Sequence, residues 1–302
     1  MKKFVRNTIL FLLPMLVFLS AMSYYRYSKL MTNVRKGVIK YQSKKGFFVG
    51  DSHIEAIDVY ARDSSYANLG QGGEPTDVSV SKMKLILAKN THVTVYLGLS
   101  ENNIVNNPSM TEENRRRHYK YDLYASKNKP SFILSNFKDF LHFVTFESAL
   151  THGFGDGRGT TVRKTFDPKS VKDPHFSVMR FHYSDTSIDR PKLIKLITDF
   201  NDYVNSRQSK LILLNCPATV LYKQNIPKSV YDSYNALLDT FVHKNIQIVN
   251  YEHLDLNDSL FHDMNHLNEN GSRTILSIMF AKEKAPVVSN PVDSAVKLQQ
   301  GL

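Results

Sequence analysis

A serine hydroxyl becomes a nucleophile when a base takes its proton and an acid orients that base, with donors in place for the developing oxyanion. Two segments carry the first three residue types at workable spacing. Gly50-Asp51-Ser52-His53 directly follows the apolar run Gly46-Phe47-Phe48-Val49, so Ser52 falls where a buried strand hands over to a polar loop. Phe261-His262-Asp263-Met264-Asn265-His266-Leu267-Asn268 lies just ahead of a C-terminal helical pattern. Asp263 precedes His266 by three residues, and one turn would bring its carboxylate to the imidazole. The pattern predicts Ser52 as nucleophile, His266 as its base and Asp263 as the orienting acid.

Elements that must position these residues are legible as runs and periods. Short apolar runs recur at His92 to Leu97, Lys210 to Leu214 and Ile246 to Val249, with a weaker one at Tyr66 to Leu69. Helical patterns separate several of them, at Thr76 to Lys89, Pro191 to Ser206 and Ser229 to His243, and a last one runs from Asn270 to about Lys282. Such alternation predicts an α/β protein, a three-layer α/β/α sandwich around a central parallel sheet. Ligands then sit beyond the carboxyl ends of the strands, which directs attention to loops 50–55, 70–74, 98–103, 215–219 and 257–268.

With these segments in place the chain resembles the SGNH hydrolases, the GDSL-like esterase and lipase superfamily. Gly50-Asp51-Ser52-His53 is similar to their first block, with His where Leu is usual, and Asp263-Met264-Asn265-His266 to their last. Asn68-Leu69-Gly70-Gln71-Gly72-Gly73 is similar to the second block, which implies an oxyanion-hole role for the Gly70 N–H beside that of Ser52. The third block departs from the family's pattern: in Gly98-Leu99-Ser100-Glu101-Asn102-Asn103 the asparagines come late. The layout looks like that of membrane-anchored bacterial relatives and implies Asn103, or alternatively Asn102, as the side-chain donor. The resemblance covers roughly residues 46 to 282 and implies a flavodoxin-like SGNH fold. It also implies a serine esterase or O-acyltransferase that works without a cofactor on an acylated, cell-envelope carbohydrate. The irregular third block keeps a catalytically inactive, glycan- or partner-binding protein as the alternative.

The rest of the 302-residue chain sets limits. A net charge of +11 suits anionic surfaces, but no nucleic-acid-binding motif accompanies it, so nucleic acid is not expected as a partner. One cysteine, Cys216, excludes an intramolecular disulfide, and its place at the end of an apolar run reads as a buried thiol. His152, His175 and His182 match no standard ligand spacing, so no metal is expected; Gly153 to Gly159 lacks the Lys-Ser/Thr end of a phosphate loop and reads as a lid or turn. His53 reads as a pocket-shaping residue or a surface histidine.

Asn7 to Tyr25 carries no charge and follows Lys2, Lys3 and Arg6. Its length favours a transmembrane anchor over a cleaved signal segment, and Tyr24, Tyr25 and Tyr27 resemble an interfacial belt. The catalytic part is expected on the extracytoplasmic side, although Arg26, Lys29, Arg35 and Lys36 keep the positive-inside rule from deciding it. The expected organisation is an anchor over 1–25, a basic stalk over 26–45, one domain over 46–283 and a disordered tail over 284–302. An insertion over about 104–185 is expected to cover the active-site face, with a helical piece near Phe132 to Leu150.

Overall fold

The computed structural model describes residues 2–105, 119–127, 129–146, 154, 162–183 and 190–283. Five parallel strands form one sheet in the order β2-β1-β3-β4-β5. They are β1 (Gly46–Val49), β2 (Tyr66–Asn68), β3 (Thr94–Gly98), β4 (Lys210–Asn215) and β5 (Gln247–Asn250). Gly46 pairs with Thr94, Thr94 with Lys210, and Ile212 with Gln247. This is the flavodoxin-like order, whose switch point lies between β1 and β3.

The apolar runs are continuous because both sheet faces are covered. Successive side chains on a strand point to opposite faces, and the two cores divide accordingly. Phe47, Val49, Val95, Leu97, Leu211 and Leu213 join one cluster, whereas Phe48, Tyr96, Ile212 and Leu214 join the other. The first face is covered by α1 (Lys2–Lys40), α4 (Thr76–Leu87), α8 (Arg190–Ser206) and α10 (Lys228–His243), the second by α2 (Ser52–Glu55), α3 (Val59–Arg62) and α11 (Glu269–Glu283). The three-layer sandwich expected from the alternation is the fold observed.

Two expectations change. Residues 26–45 are not a free stalk: α1 runs unbroken to Lys40, and Leu30, Val34, Val38 and the following Tyr41 are buried in the first core. Their spacing places one stripe of the helix against the domain. The helical piece expected near 132–150 is two helices, α5 (Lys129–Ser135) and α6 (Phe137–Phe146), separated at Asn136, whose side chain donates back to the Phe132 carbonyl at 2.9 Å. Two further helices are α7 (Pro174–His182) and α9 (Val220–Lys223). Of the expected glycine-rich lid only Phe154 lies among the described residues, buried beside the Tyr41 and Tyr121 rings; the tail beyond 283 lies outside them.

A buried ion pair fixes the loop that leaves β2. Lys82 of α4 donates to the Leu69 carbonyl at 2.5 Å and to Glu74 at 2.7 Å, and Ser79 donates to the other Glu74 oxygen at 2.6 Å. The Lys82 and Glu74 side chains are only 1% and 2% exposed. Removing one partner of such a pair leaves an uncompensated buried charge. Lys82→Met is therefore expected to destabilise the protein by about 3 to 5 kcal/mol, read from chemical denaturation; a loss well under 1 kcal/mol would show that the pair does not hold this loop.

Candidate active site

Strand β1 delivers the serine through a tight crossing. A Cβ on Gly50, which has φ +155°, would lie 2.7 Å from the Ile54 side chain and 3.2 Å from the Gly98 backbone of β3. Only glycine lets the two strand ends approach this closely. Asp51 then caps α2 by accepting the His53 N–H at 3.0 Å, and Ser52 occupies the first helical position, where a backbone N–H has no partner within the helix.

The base arrives from the other end of the domain. Asp263 accepts the backbone N–H groups of Asn265 at 3.0 Å and His266 at 2.8 Å, which ties 263–266 into a turn. Asn268 accepts from Asn270 and Gly271, both at 3.0 Å, and so caps α11 immediately behind that turn. Within this frame His266 Nδ1 lies 2.9 and 3.0 Å from the two Asp263 oxygens. Its Nε2 lies 2.7 Å from Ser52 Oγ. The partners assign the tautomer: Nδ1–H donates to the carboxylate, and Nε2 accepts the serine proton. Burial opposes ionisation of Asp263, but the His266 hydrogen bond and charge, with the Asn265 N–H, hold its carboxyl well below the usual range.

The implied oxyanion donors are placed less simply. The Gly70 N–H donates to Asn68 Oδ1 at 2.8 Å, closing a turn between the end of β2 and the loop that follows it. Gly72 is the glycine beside the nucleophile, since a Cβ there would lie 4.0 Å from Ser52 Cβ. Its N–H donates to Glu55 at 2.6 Å, one helical turn beyond Ser52. Asn103 Oδ1 accepts the Ser100 N–H at 2.7 Å, and Asn103 Nδ2 reaches Asp51 at 3.2 Å, with the Asn102 amide 3.5 Å from the same oxygen. Both asparagines are brought to the nucleophile loop, and both amides are directed at its aspartate.

A second histidine network lies behind the first. His53 is buried at 8% exposure, not a surface residue, with Nδ1 3.1 Å from Asp51 and its ring stacked on His266 at 4.8 Å. The Asn265 amide reaches both His53 Nε2, at 3.0 Å, and His182 Nε2, at 3.3 Å, and so ties the D-x-x-H turn to the end of α7. Burial alone would lower the His53 pKa, yet Asp51 outweighs it and the net direction is upward. Burial lowers His182 to about 4, so it is neutral in this network near pH 7. His53 and Asn265 lie within the motifs themselves, whereas nothing local to His182 signals its role. His175 is exposed on α7, and His152 lies outside the described residues.

His262 stacks on the opposite face of the same histidine, its ring 5.4 Å from His266 and nearly parallel to it. Donor atoms of His262, Asp263 and His266 lie within 4.8 Å of one another. His262 places Nδ1 3.2 Å from the Leu267 carbonyl and Nε2 3.3 Å from Asp263, while both nitrogens of His266 are already engaged, Nδ1 by Asp263 and Nε2 by Ser52, so the central imidazole has no lone pair left for an ion. This geometry fits an orienting stack better than a metal cage.

The chain matches no family model and no curated sequence. Among solved structures it is similar to a GDSL-like lipase from Bacteroides thetaiotaomicron, at 10% identity over 86% of this chain and all of the other, with a TM-score of 0.41. A Bacteroides fragilis protein proposed to be an acylhydrolase gives 11% identity over 80% and 86% of the two chains, TM-score 0.41. Protein YXIM from Bacillus subtilis gives 10% identity over 81% of this chain and 58% of its own, TM-score 0.40. At these scores the likeness adds nothing to the chemistry, which rests on the side chains themselves.

Beneath the site, Glu101 is buried where β3 ends and accepts the Asn215 amide at 3.3 Å. Burial, with the neighbouring Glu252 carboxylate, pushes its pKa from 4.5 up to about 7. A carboxyl whose folded pKa is raised contributes stability below its unfolded pKa and loses it as pH rises through the folded value. Glu101→Gln keeps the acceptor for Asn215, so its stability relative to the parent is expected to rise by about 3 kcal/mol between pH 4 and 8. Urea titrations at both pH values check this; a difference independent of pH would show that Glu101 ionises normally.

Proposed function

We propose that the protein is a serine-dependent acyl-ester enzyme of the SGNH type. The observation that carries this reading is the line from Asp263 through His266 to Ser52 Oγ, with both imidazole nitrogens engaged at 2.7 to 3.0 Å. In the proposed reaction Ser52 Oγ bonds to the carbonyl carbon while His266 Nε2 takes the serine proton. The tetrahedral oxyanion collapses, the alcohol leaves with the proton returned by His266, and the acyl group remains on Ser52. An acceptor hydroxyl, from water or a sugar, then gives its proton to His266 and takes the acyl group. The N–H of Ser52 is the foremost oxyanion donor. Gly70 would contribute after a shift, because its N–H is given to Asn68, and Asn103 or Asn102 through the second N–H of an amide whose first is directed at Asp51.

An acylated cell-envelope carbohydrate is the substrate class that best suits a basic chain with one helix long and apolar enough to cross a membrane. In this reading α1 anchors the protein, the catalytic part faces the extracytoplasmic side, and envelope-building proteins are its neighbours. Work on a polymer leaves open which hydroxyl accepts the acyl group, and the triad serves both.

Labelling by a fluorophosphonate probe tests the nucleophile. Ser52→Ala is expected to abolish labelling, and Asp263→Asn to lower turnover of an activated ester by about 10³-fold or more. Undiminished labelling of Ser52→Ala would overturn the assignment. Commitment of the Gly70, Asn102 and Asn103 donors supports one further reading, a catalytically inactive glycan-binding protein. Glycan binding that survives Ser52→Ala, with no ester turnover by the parent, would establish that alternative. If transfer is the activity, a glycan hydroxyl will take the acyl group faster than water does.

A further inference from the structure

The two helices inside the insertion carry a surface that the proposed chemistry does not use. Leu134 at the end of α5, and Phe137 and Leu141 one turn apart on α6, are 74%, 56% and 52% exposed. Lys127 and Lys138 are exposed nearby in sequence. The same helices are held by the domain through neighbouring residues: Phe132, Ile133 and Phe140 pack against the first core, as do Tyr27 and Met31 of α1. An amphipathic, basic and apolar surface of this kind suits the boundary between anionic headgroups and acyl chains.

Its place relative to α1 decides between lipid and other occupants. Helices α1 and α6 are in contact. Tyr119, whose ring is 5.5 Å from Phe132, is buried in the core against which Tyr27 of α1 and Phe140 of α6 both pack. The uncharged run Asn7 to Tyr25 has 19 residues, a length of about 28 Å at 1.5 Å per residue, which matches a hydrocarbon core of about 30 Å. Tyr24 and Tyr25, 72% and 59% exposed, end that run at the depth of an interfacial belt. Because α1 continues without a break into the core, whatever packs beside Tyr27 is held at that same depth.

We propose that α5 and α6 form a membrane foot, with Leu134, Phe137 and Leu141 seated in the interface of the bilayer that α1 crosses. Lys127 and Lys138 meet anionic phosphates there. The inference rests on the reading of α1 as a membrane span. It makes the insertion a device that fixes the tilt of the catalytic domain over the bilayer, in addition to any cover it gives the site.

The test uses the full chain in phosphatidylethanolamine and phosphatidylglycerol vesicles, with single cysteines spin-labelled at positions 13, 137, 141 and 242. Leu13 reports on the span, and Val242, 58% exposed on α10, reports on water; the buried Cys216 stays unlabelled. Labels at 137 and 141 are expected to collide with oxygen several-fold more, relative to a water-soluble nickel chelate, than the label at 242. A lipid signal at 13 with a water signal at 137 and 141 would overturn the foot and leave the span standing. A water signal at 13 would overturn both. Protection of 137 and 141 from both reagents would mean a protein occupant, such as a second copy, and also overturns the proposal. Phe137→Glu with Leu141→Glu alters only exposed positions, so it should leave vesicle binding through α1 intact while a label at 134 loses its lipid signal.

Discussion

The hydrogen bond between Ser52 and His266 spans 214 residues of chain, and much of the fold serves to bring its two ends within 2.7 Å. A parallel sheet does this because all its strands deliver their following loops to one edge. Strand β1, paired on both sides, supplies Ser52, while the turn ahead of α11 supplies His266 at the same edge. Neither end is held by the bond itself. Ser52 is fixed by the Asp51 cap and the glycine crossing, and His266 by the Asp263 turn and the Asn268 cap. The bond therefore forms between two preorganised pieces, which is what a proton transfer in the reaction requires.

The line of contacts from Asp263 through His266 to Ser52 was legible in the sequence because each half is local. Asp263 and His266 are three residues apart, and Ser52 follows its strand without an intervening loop, so short-range geometry already limits where these groups can point. Gly70 shows where such reading stops: the motif places a glycine near the serine but cannot say which way its N–H is turned, and Asn68 takes it. His182 was invisible for a different reason. It meets Asn265 across 83 residues through an insertion whose path no local pattern encodes.

The misread stalk has a physical lesson of its own. Arg26, Lys29, Arg35 and Lys36 make the stretch look solvated, and by composition it is. Yet Leu30, Val34 and Val38 recur at every fourth position, and that stripe alone suffices to bury one side of a helix. Charge on one face says little about the other. Here the distinction matters, because a packed helix transmits orientation from the span to the domain, whereas a loose stalk would not.

Stacking three imidazoles beside Ser52 poses an electrostatic problem for the proposed reaction, in which His266 becomes an imidazolium as it takes the serine proton. A positive His53 at 4.8 Å would oppose that step if it stood alone. It does not stand alone: Asp51, itself held well below the usual carboxylate range despite burial, sits 3.1 Å from His53. The two are one hydrogen-bonded pair, and the Asp51 carboxylate interacts favourably with both the His53 and the His266 charge. Asp263 is the carboxylate in direct contact with His266, and its hydrogen bond favours the imidazolium. On this view the segment Asp51-Ser52-His53 acts as one electrostatic unit around its serine, with the aspartate before Ser52 bonded to the histidine after it.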